Sequence, residues 1–311
     1  MSYLSTILIT GTSSGLGFGT AIKIARARPN LRVVICSRTG ADCADKINAM
    51  TGHSNVVYLP LDLSTHADTR SFVKEYTSRD FPKISSLVLN AGIQLTDKLH
   101  ISPDGIESMF AINHVNQALL FFLLRPRLLP DARIVFISSG MHSPDYYFKP
   151  GVNYISANDM AHPSESTMSP YNRGLKIYAE TKIANLLFAY ALHHRSSKFN
   201  IMALDPGVMA SGLHRHQPGI RGSVTRFAIR SLPWLISDSH PIEVPATALA
   251  KLAIDPEFAS REKNGGKYYY VDLKDLKSSE QTYDTALQND LWDWTIQKVA
   301  QGDEKTTFAA L

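Results

Sequence analysis

Tyr178 and Lys182 stand four residues apart in a strongly helical stretch, so both side chains fall on one face of the helix. A phenol with a pKa of about 10 is a poor proton donor near neutrality, and an ammonium beside it favours the phenolate and brings it toward working pH. The pair is a candidate for general acid–base chemistry; the competing reading is an accidental Tyr-x-x-x-Lys. A second cluster, Thr10-Gly11-Thr12-Ser13-Ser14-Gly15-Leu16-Gly17, precedes a helical FGTAIKIARAR. Residues without Cβ atoms let a backbone approach a pyrophosphate, and the helix N-terminus adds unpaired N–H groups and a positive dipole end. The spacing TGxxxGxG departs from GxGxxG, and a merely tight connection is the alternative. Arg38 lies 21 residues beyond Gly17, at the end of a strand-like RVVICS. A basic residue there suits a 2′-phosphate and favours NADP(H) over NAD, unless it is an ordinary solvated arginine.

Positioning these groups requires a regular scaffold. Short β-branched runs at 6–10, 32–37, 56–59, 86–89, 133–138, 200–204 and 267–271 alternate with helix-length segments at 17–28, 104–125, 175–195 and 279–299. Several runs are apolar throughout, as in strands covered on both faces. The pattern predicts α/β architecture: a doubly wound parallel sheet of Rossmann type, one domain over 1–311. Two irregular inserts, at about 140–172 and 210–245, interrupt it after strand ends, where lids usually arise.

Glycine turn, Asp62-Leu63, Asn90-Ala91-Gly92 and Tyr178-x-x-x-Lys182 occur in the order that resembles the short-chain dehydrogenase/reductase superfamily. Asn113-His114 in FAINHVNQALLFFLL, Ser138-Ser139 with His142, TKIANLLFAYAL and the tail GGKYYYVDL resemble its retinol-dehydrogenase-like and protochlorophyllide-reductase-like branch. The resemblance implies a catalytic set of Asn113, Ser139, Tyr178 and Lys182, with Ser139 polarising the substrate oxygen and Asn113 holding a water behind the lysine. For the cofactor it implies Gly11, Ser13, Ser14, Gly15, Leu16 and Gly17 at the pyrophosphate and Asp62 and Leu63 at the adenine. Asn90, Ala91 and Gly92 would lie beneath it, with Tyr178 and Lys182 at its ribose, and Pro206, Gly207, Met209 and Ser211 beside the nicotinamide. The alternative for Asn113 is a core amide.

The expected activity is an NADP(H)-dependent oxidoreductase passing a hydride between nicotinamide and a carbonyl or alcohol of a small molecule. Reduction of an activated C=C bond is a second enzymatic reading. A non-catalytic NADP-binding sensor or scaffold is a third, against which the intact Asn-Ser-Tyr-Lys set argues. Ser139 and Tyr178 are 39 residues apart, so the extra length must loop over the site. Tyr146, Tyr147, Phe148, Tyr154, Phe227, Trp234 and Leu235 in the inserts fit a lipophilic or polycyclic substrate or else pack the loops down.

Composition narrows the classes further. Hydrophobic residues make up 44% and charged residues 19%, enough for a buried core. The net charge of +4 is scattered, which argues against a nucleic-acid partner. Two cysteines, Cys36 and Cys43, point to a reducing, cytoplasmic setting without disulfides. His214 and His216 lack neighbouring Cys or acidic ligands, so no metal is expected. No signal peptide or bilayer-spanning run is visible, and the chain reads as soluble, with a homo-oligomer left open. Residues 223–236, SVTRFAIRSLPWLI, have helical amphipathic spacing and read as a lid, a membrane contact or plain packing.

Overall fold

The computed structural model describes residues 2–143, 152–209 and 239–311. Strands β1 (Thr6–Thr10), β2 (Arg32–Ser37), β3 (Val56–Pro60) and β4 (Ile84–Leu89) alternate with helices α1 (Gly15–Ala27), α2 (Cys43–Thr51) and α3 (His66–Ser78). Next come α4 (Ser108–Phe110), a π-helical turn (Ala111–Val115) and α5 (Asn116–Leu124), leading into β5 (Leu128–Ile137). The short α6 (Ala157–Ala161) precedes the long α7 (Pro170–Arg195) and β6 (Asn200–Leu204). The remainder comprises β7 (Val208–Met209), β8 (Ser239–His240), α8 (Glu243–Ile254), α9 (Arg261–Asn264), β9 (Lys267–Tyr269), β10 (Asp275–Leu276), α10 (Thr285–Val299) and α11 (Glu304–Ala309).

The main sheet has the order β10-β9-β6-β5-β4-β1-β2-β3, parallel except for β10 against β9. Its direction of winding reverses between β1 and β4, where a doubly wound sheet opens a crevice at its carboxyl edge. This is the expected single-domain α/β architecture. Strand interiors such as Ile7, Leu8, Ile9, Val33, Val34 and Ile35 are buried because both faces are covered. One core lies under α1, α2 and α8, and the other under α3, α5, α7 and α10.

Several boundaries differ from the sequence reading: β4 begins at Ile84 rather than 86, β5 at Leu128 rather than 133, β9 ends at Tyr269 rather than 271, and the helix expected over 104–125 starts at Ser108. α7 begins at Pro170 because Ser169 accepts a hydrogen bond from Asn172 N and proline suits a first helical position. α10 begins at Thr285, where Asp284 accepts from Ala286 N at 2.7 Å, and the preceding residues Glu280–Tyr283 form a separate 3-10 turn. The end of the first insert is fastened to α10: Tyr154 Oη donates to Asp290 at 2.5 Å and Ala157 N to the same oxygen at 2.8 Å. Tyr154 thus packs the insert down. The other large apolar insert residues, Tyr146, Tyr147, Phe148, Phe227, Trp234 and Leu235, lie outside the described residues, as do His214, His216, Ser211 and the whole of 223–236. Among the described residues no helix is long and apolar enough to cross a membrane.

Candidate active site

The glycine turn follows β1 through Gly11 (φ +72°) and Gly15 (φ +63°). A Cβ on Gly17 would come 2.5 Å from the Gly11 carbonyl oxygen and 2.6 Å from Asn90 Nδ2, and one on Gly11 2.7 Å from Ala91 Cα. A side chain at either position would clash with the turn itself or with the Asn90-Ala91 segment, so only glycine lets the turn pack this closely. The turn ends in the extended Ser14 at the start of α1, whose first turn carries no acid, which keeps that helix end suited to an anion. Ser13 and Leu16 lie in the same segment, Leu16 buried.

Thr10 holds this turn to the end of β4. Its hydroxyl accepts from Asn90 N (3.0 Å) and Ala91 N (2.9 Å) and donates to Gln117 Oε1 (3.0 Å). Asn90 Nδ2 donates to the carbonyls of Thr10 (2.7 Å) and Gly11 (3.1 Å), and Gln117 Nε2 to those of Ala91 and Asn113, both 2.9 Å. Sequence reasoning placed Thr10 in the turn without assigning it a role, and missed Gln117. The signal for Gln117 was its place one helical turn after Asn113.

Arg38 is exposed immediately after β2 and makes no hydrogen bond or ion pair with another described residue. The loop it enters rests on the glycine turn: Cys43 Sγ donates to the Ser13 carbonyl at 3.8 Å, and Gly40 (φ +107°) sits so close to Cys43 Sγ and Ser13 that a Cβ there would come 2.9 Å from the sulfur and 3.2 Å from Ser13 Cβ. Beyond β3, Asp62 accepts from Ser64 N at 2.9 Å and the Leu63 carbonyl accepts from Asn116 Nδ2 at 2.9 Å. Arg38 and the Asp62-Leu63 pair therefore sit at the β2–β3 side of the crevice. The reacting groups gather on the β4–β6 side.

There, Asn113 occupies the centre of the π-helical turn, fully buried. Such turns inside helices often accompany functional sites. Its Oδ1 accepts from Ile93 N (2.8 Å), and Nδ2 donates to Ile93 O (3.0 Å) and Thr181 Oγ1 (3.1 Å). Both amide ends hold protein partners, and one Oδ1 lone pair remains. Lys182, also buried, donates from Nζ to Ile137 O at 3.1 Å and lies 5.3 Å from the Tyr178 ring centroid. A Cβ on Gly92 would meet Asn113 Oδ1 at 3.4 Å and Lys182 Nζ at 3.7 Å, so amide and ammonium converge on this glycine. Asn185, three residues beyond Lys182, donates to the same Ile137 carbonyl at 3.0 Å.

Ser138 is structural: its hydroxyl donates to the Lys182 carbonyl at 3.0 Å. Ser139 follows, half-buried, accepting from Met141 N at 3.3 Å. Met141 packs with Ile93, Leu95 and Leu99 against the buried cluster of Met109, Ile177 and Tyr178, which brings the Ser139 turn to the tyrosine. At the end of β6, Asp205 accepts from Gly207 N at 3.0 Å, fixing the Pro206-Gly207 bend, and Met209 is buried in β7.

Burial pushes the Tyr178 phenol well above its ordinary value, and the Asp205 carboxylate adds to the rise. The sequence spacing pointed the other way. The ammonium here is turned to Ile137 O, and desolvation outweighs it. Burial also lowers Lys182 to about 8, against a smaller upward pull from Asp205.

A short chain dehydrogenase family model matches residues 5–156. The chain is 31% identical over 302 residues to polyprenol dehydrogenase of Mus musculus, covering 92% of this chain and 81% of that protein. It is 32% identical over 217 residues to retinol dehydrogenase 12 of Bos taurus, covering 68% and 63%. Among solved structures, an uncharacterized protein from Mycobacterium Paratuberculosis has a TM-score of 0.66 at 23% identity, covering 96% of this chain and 94% of that one. Two further chains share the fold: a Burkholderia cenocepacia short chain dehydrogenase in complex with NADP (TM-score 0.61, 19% identity, 86% and 95% covered) and a Brucella melitensis 3-ketoacyl-(acyl-carrier-protein) reductase complexed with NADH (0.57, 20%, 86% and 97%). With its winding reversal, glycine turn and buried Tyr178–Lys182 face, the chain belongs to the short-chain dehydrogenase/reductase family of oxidoreductases, on the retinol-dehydrogenase-like branch.

Proposed function

We propose that this chain, as one cofactor-binding unit over 1–311, is an NADP(H)-dependent oxidoreductase that interconverts a carbonyl and an alcohol on a lipophilic small molecule. The observation that carries the reading is the meeting of Tyr178, Lys182, Asn113 and the Ser139 turn at the same carboxyl edge of the sheet as a glycine turn packed directly on Asn90 and Ala91. The glycine turn leading into the acid-free N-terminus of α1 suits the pyrophosphate of a dinucleotide. Gly11, Ser13, Ser14, Gly15, Leu16 and Gly17 would hold its pyrophosphate, Arg38 a 2′-phosphate, and Asp62 and Leu63 its adenine. Asn90, Ala91 and Gly92 would support it from below, with Pro206, Gly207, Met209 and Ser211 at the nicotinamide end.

The nicotinamide, when bound, supplies or accepts the hydride. The chain's own residues handle the proton and the charge. Ser139 Oγ donates a hydrogen bond to the substrate oxygen, stabilising negative charge as it develops. Tyr178 Oη gives that oxygen a proton in reduction and takes one back in oxidation. Its upward-shifted pKa keeps the donor form populated, which suits reduction near neutrality and makes oxidation rise with pH. Lys182 contributes charge beside the tyrosine and a donor to the ribose, and Asn113 uses its remaining lone pair to hold a relay water.

A lipophilic substrate is supported by what surrounds the phenol: the half-buried Ile93, Leu95, Leu99 and Met141 line one side, with no charged group among them. NADP(H) over NAD(H) is supported by Arg38, a cation at the ribose-reading strand end. Fluorescence titration should give tighter binding of NADPH than NADH, and Arg38→Asp should shrink or invert the preference. Equal affinities in the native chain would remove the cofactor assignment. A panel of lipophilic aldehydes and ketones, followed at the NADPH absorbance, tests the substrate class. Tight binding without turnover of any carbonyl would favour a cofactor-binding scaffold.

A further inference from the structure

Ser139 lies beyond the last residue of β5, so the sheet does not fix its hydroxyl. The ladder's final support is Ser138 N, which donates to Leu204 O at 2.9 Å. What holds the next residue is His142. The Ser139 carbonyl accepts from His142 N at 3.0 Å and from the His142 ring Nδ1 at 2.6 Å. The other ring nitrogen, Nε2, accepts from Ser279 N at 3.1 Å, across 137 residues of chain. Both ring partners are main-chain groups, one only an acceptor and the other only a donor, so the neutral Nδ1–H tautomer is dictated by chemistry.

The ring is buried and stands edge-on to Tyr268, with centroids 5.3 Å apart. Its anchor is itself built into the body. Ser278 N donates to Tyr283 Oη at 3.0 Å, and Ser278 Oγ pairs with Tyr190 Oη on α7 at 2.8 Å and with Thr282 Oγ1 at 2.7 Å. Gln288 Nε2 on α10 donates to the Thr282 carbonyl at 2.9 Å. The same turn grips the first insert where it rejoins the described chain: Gln281 donates to Val152 O at 2.8 Å and accepts from Tyr154 N at 2.7 Å.

We infer that His142 is a positioning residue for Ser139, and that the turn at 278–283 sets the reach of the serine hydroxyl through it. The inference rests on the proposed role of Ser139. A carbonyl clamped twice by one residue fixes the peptide plane next to the hydroxyl, and hydrogen-bond donors for developing charge work only when held in place beforehand.

The test is a double-mutant cycle with two readouts. His142→Phe keeps the ring volume and the contact with Tyr268 but removes both ring hydrogen bonds; His142→Gln can restore a donor and an acceptor. Expected for His142→Phe is a fall in kcat of about 10- to 100-fold, a cofactor Kd within about twofold of native, and faster hydrogen exchange at the Ser279 amide. His142→Gln should recover part of both exchange protection and kcat. In the Ser139→Ala background His142→Phe should cost no more than about twofold, because the group it positions is gone. Equal losses in both backgrounds, or unchanged exchange at Ser279, would overturn the positioning role while leaving the Ser139 assignment standing. A Ser139→Ala variant with native kcat would instead overturn that assignment, and the positioning role with it.

Discussion

Lys182 illustrates how a residue placed for chemistry strains against the fold. Its ammonium is buried with one carbonyl partner, Ile137 O, and burial lowers its pKa from 10.5 to about 8. The unfolded chain binds the proton more tightly than the folded one, so stability is lost as pH falls through about 8 and is fully present only above 10.5. The expected gain from Lys182 across that window is on the order of 3 kcal/mol. Lys182→Met should remove that slope from urea melts between pH 8 and 10.5, and should abolish turnover in any carbonyl assay. A slope unchanged in the variant would mean that the ammonium is better solvated than its burial implies.

At the scale of elements, the segment from Glu107 through the π-helical turn carries two buried groups that titrate in opposite senses. Glu107 caps α4, accepting from Phe110 N at 2.7 Å, and burial raises its carboxyl to about 7. His114 is stacked on Phe110 with centroids 5.4 Å apart, paired with Asn185 at 3.3 Å, and lowered by burial to about 4. The Glu107 contribution is fully present below its unfolded value of 4.5 and is lost as pH rises through 7. The His114 contribution is present above 6.5 and lost as pH falls through 4. Glu107→Gln keeps the capping oxygen, so the variant should lose the decline in stability between pH 4.5 and about 7, read from melting temperatures.

This segment also marks how far the sequence was legible. The glycine turn and the Tyr178–Lys182 face were readable because their geometry is local: a few residues of loop, or one turn of helix. The π-helical turn was not, since the apolar run after Asn113 reads as a plain helix. Nor were the Thr10–Gln117 and His142–Ser279 bonds, which join residues 107 and 137 positions apart. A lone polar side chain in sequence carries no sign of a partner that distant.

At the scale of the molecule, the outer face of α5 and α7 is covered by the chain's own last two helices. Trp292 stacks on Phe188 (4.9 Å) and meets Phe122 edge-on (5.3 Å), and Phe308 stacks on Phe122 at 4.7 Å. Arg70 pairs with Glu304 at 2.6 Å and Arg125 donates to the Thr307 and Ala310 carbonyls, fastening α11 in place. Trp292→Ala should cost about 3–5 kcal/mol in denaturant unfolding. A loss below about 1 kcal/mol would show that α10 is a loose appendage rather than the floor beneath the catalytic helix.

Tyr178 is the group proposed to move the proton. Its most direct test is turnover of a lipophilic carbonyl by Tyr178→Phe, with NADPH affinity measured on the same protein. The expected result is a fall in kcat of about 10²- to 10⁴-fold with cofactor Kd nearly unchanged, because only the acid is removed. A Tyr178→Phe variant that kept close to native kcat would contradict it, since the proton would then come from another group.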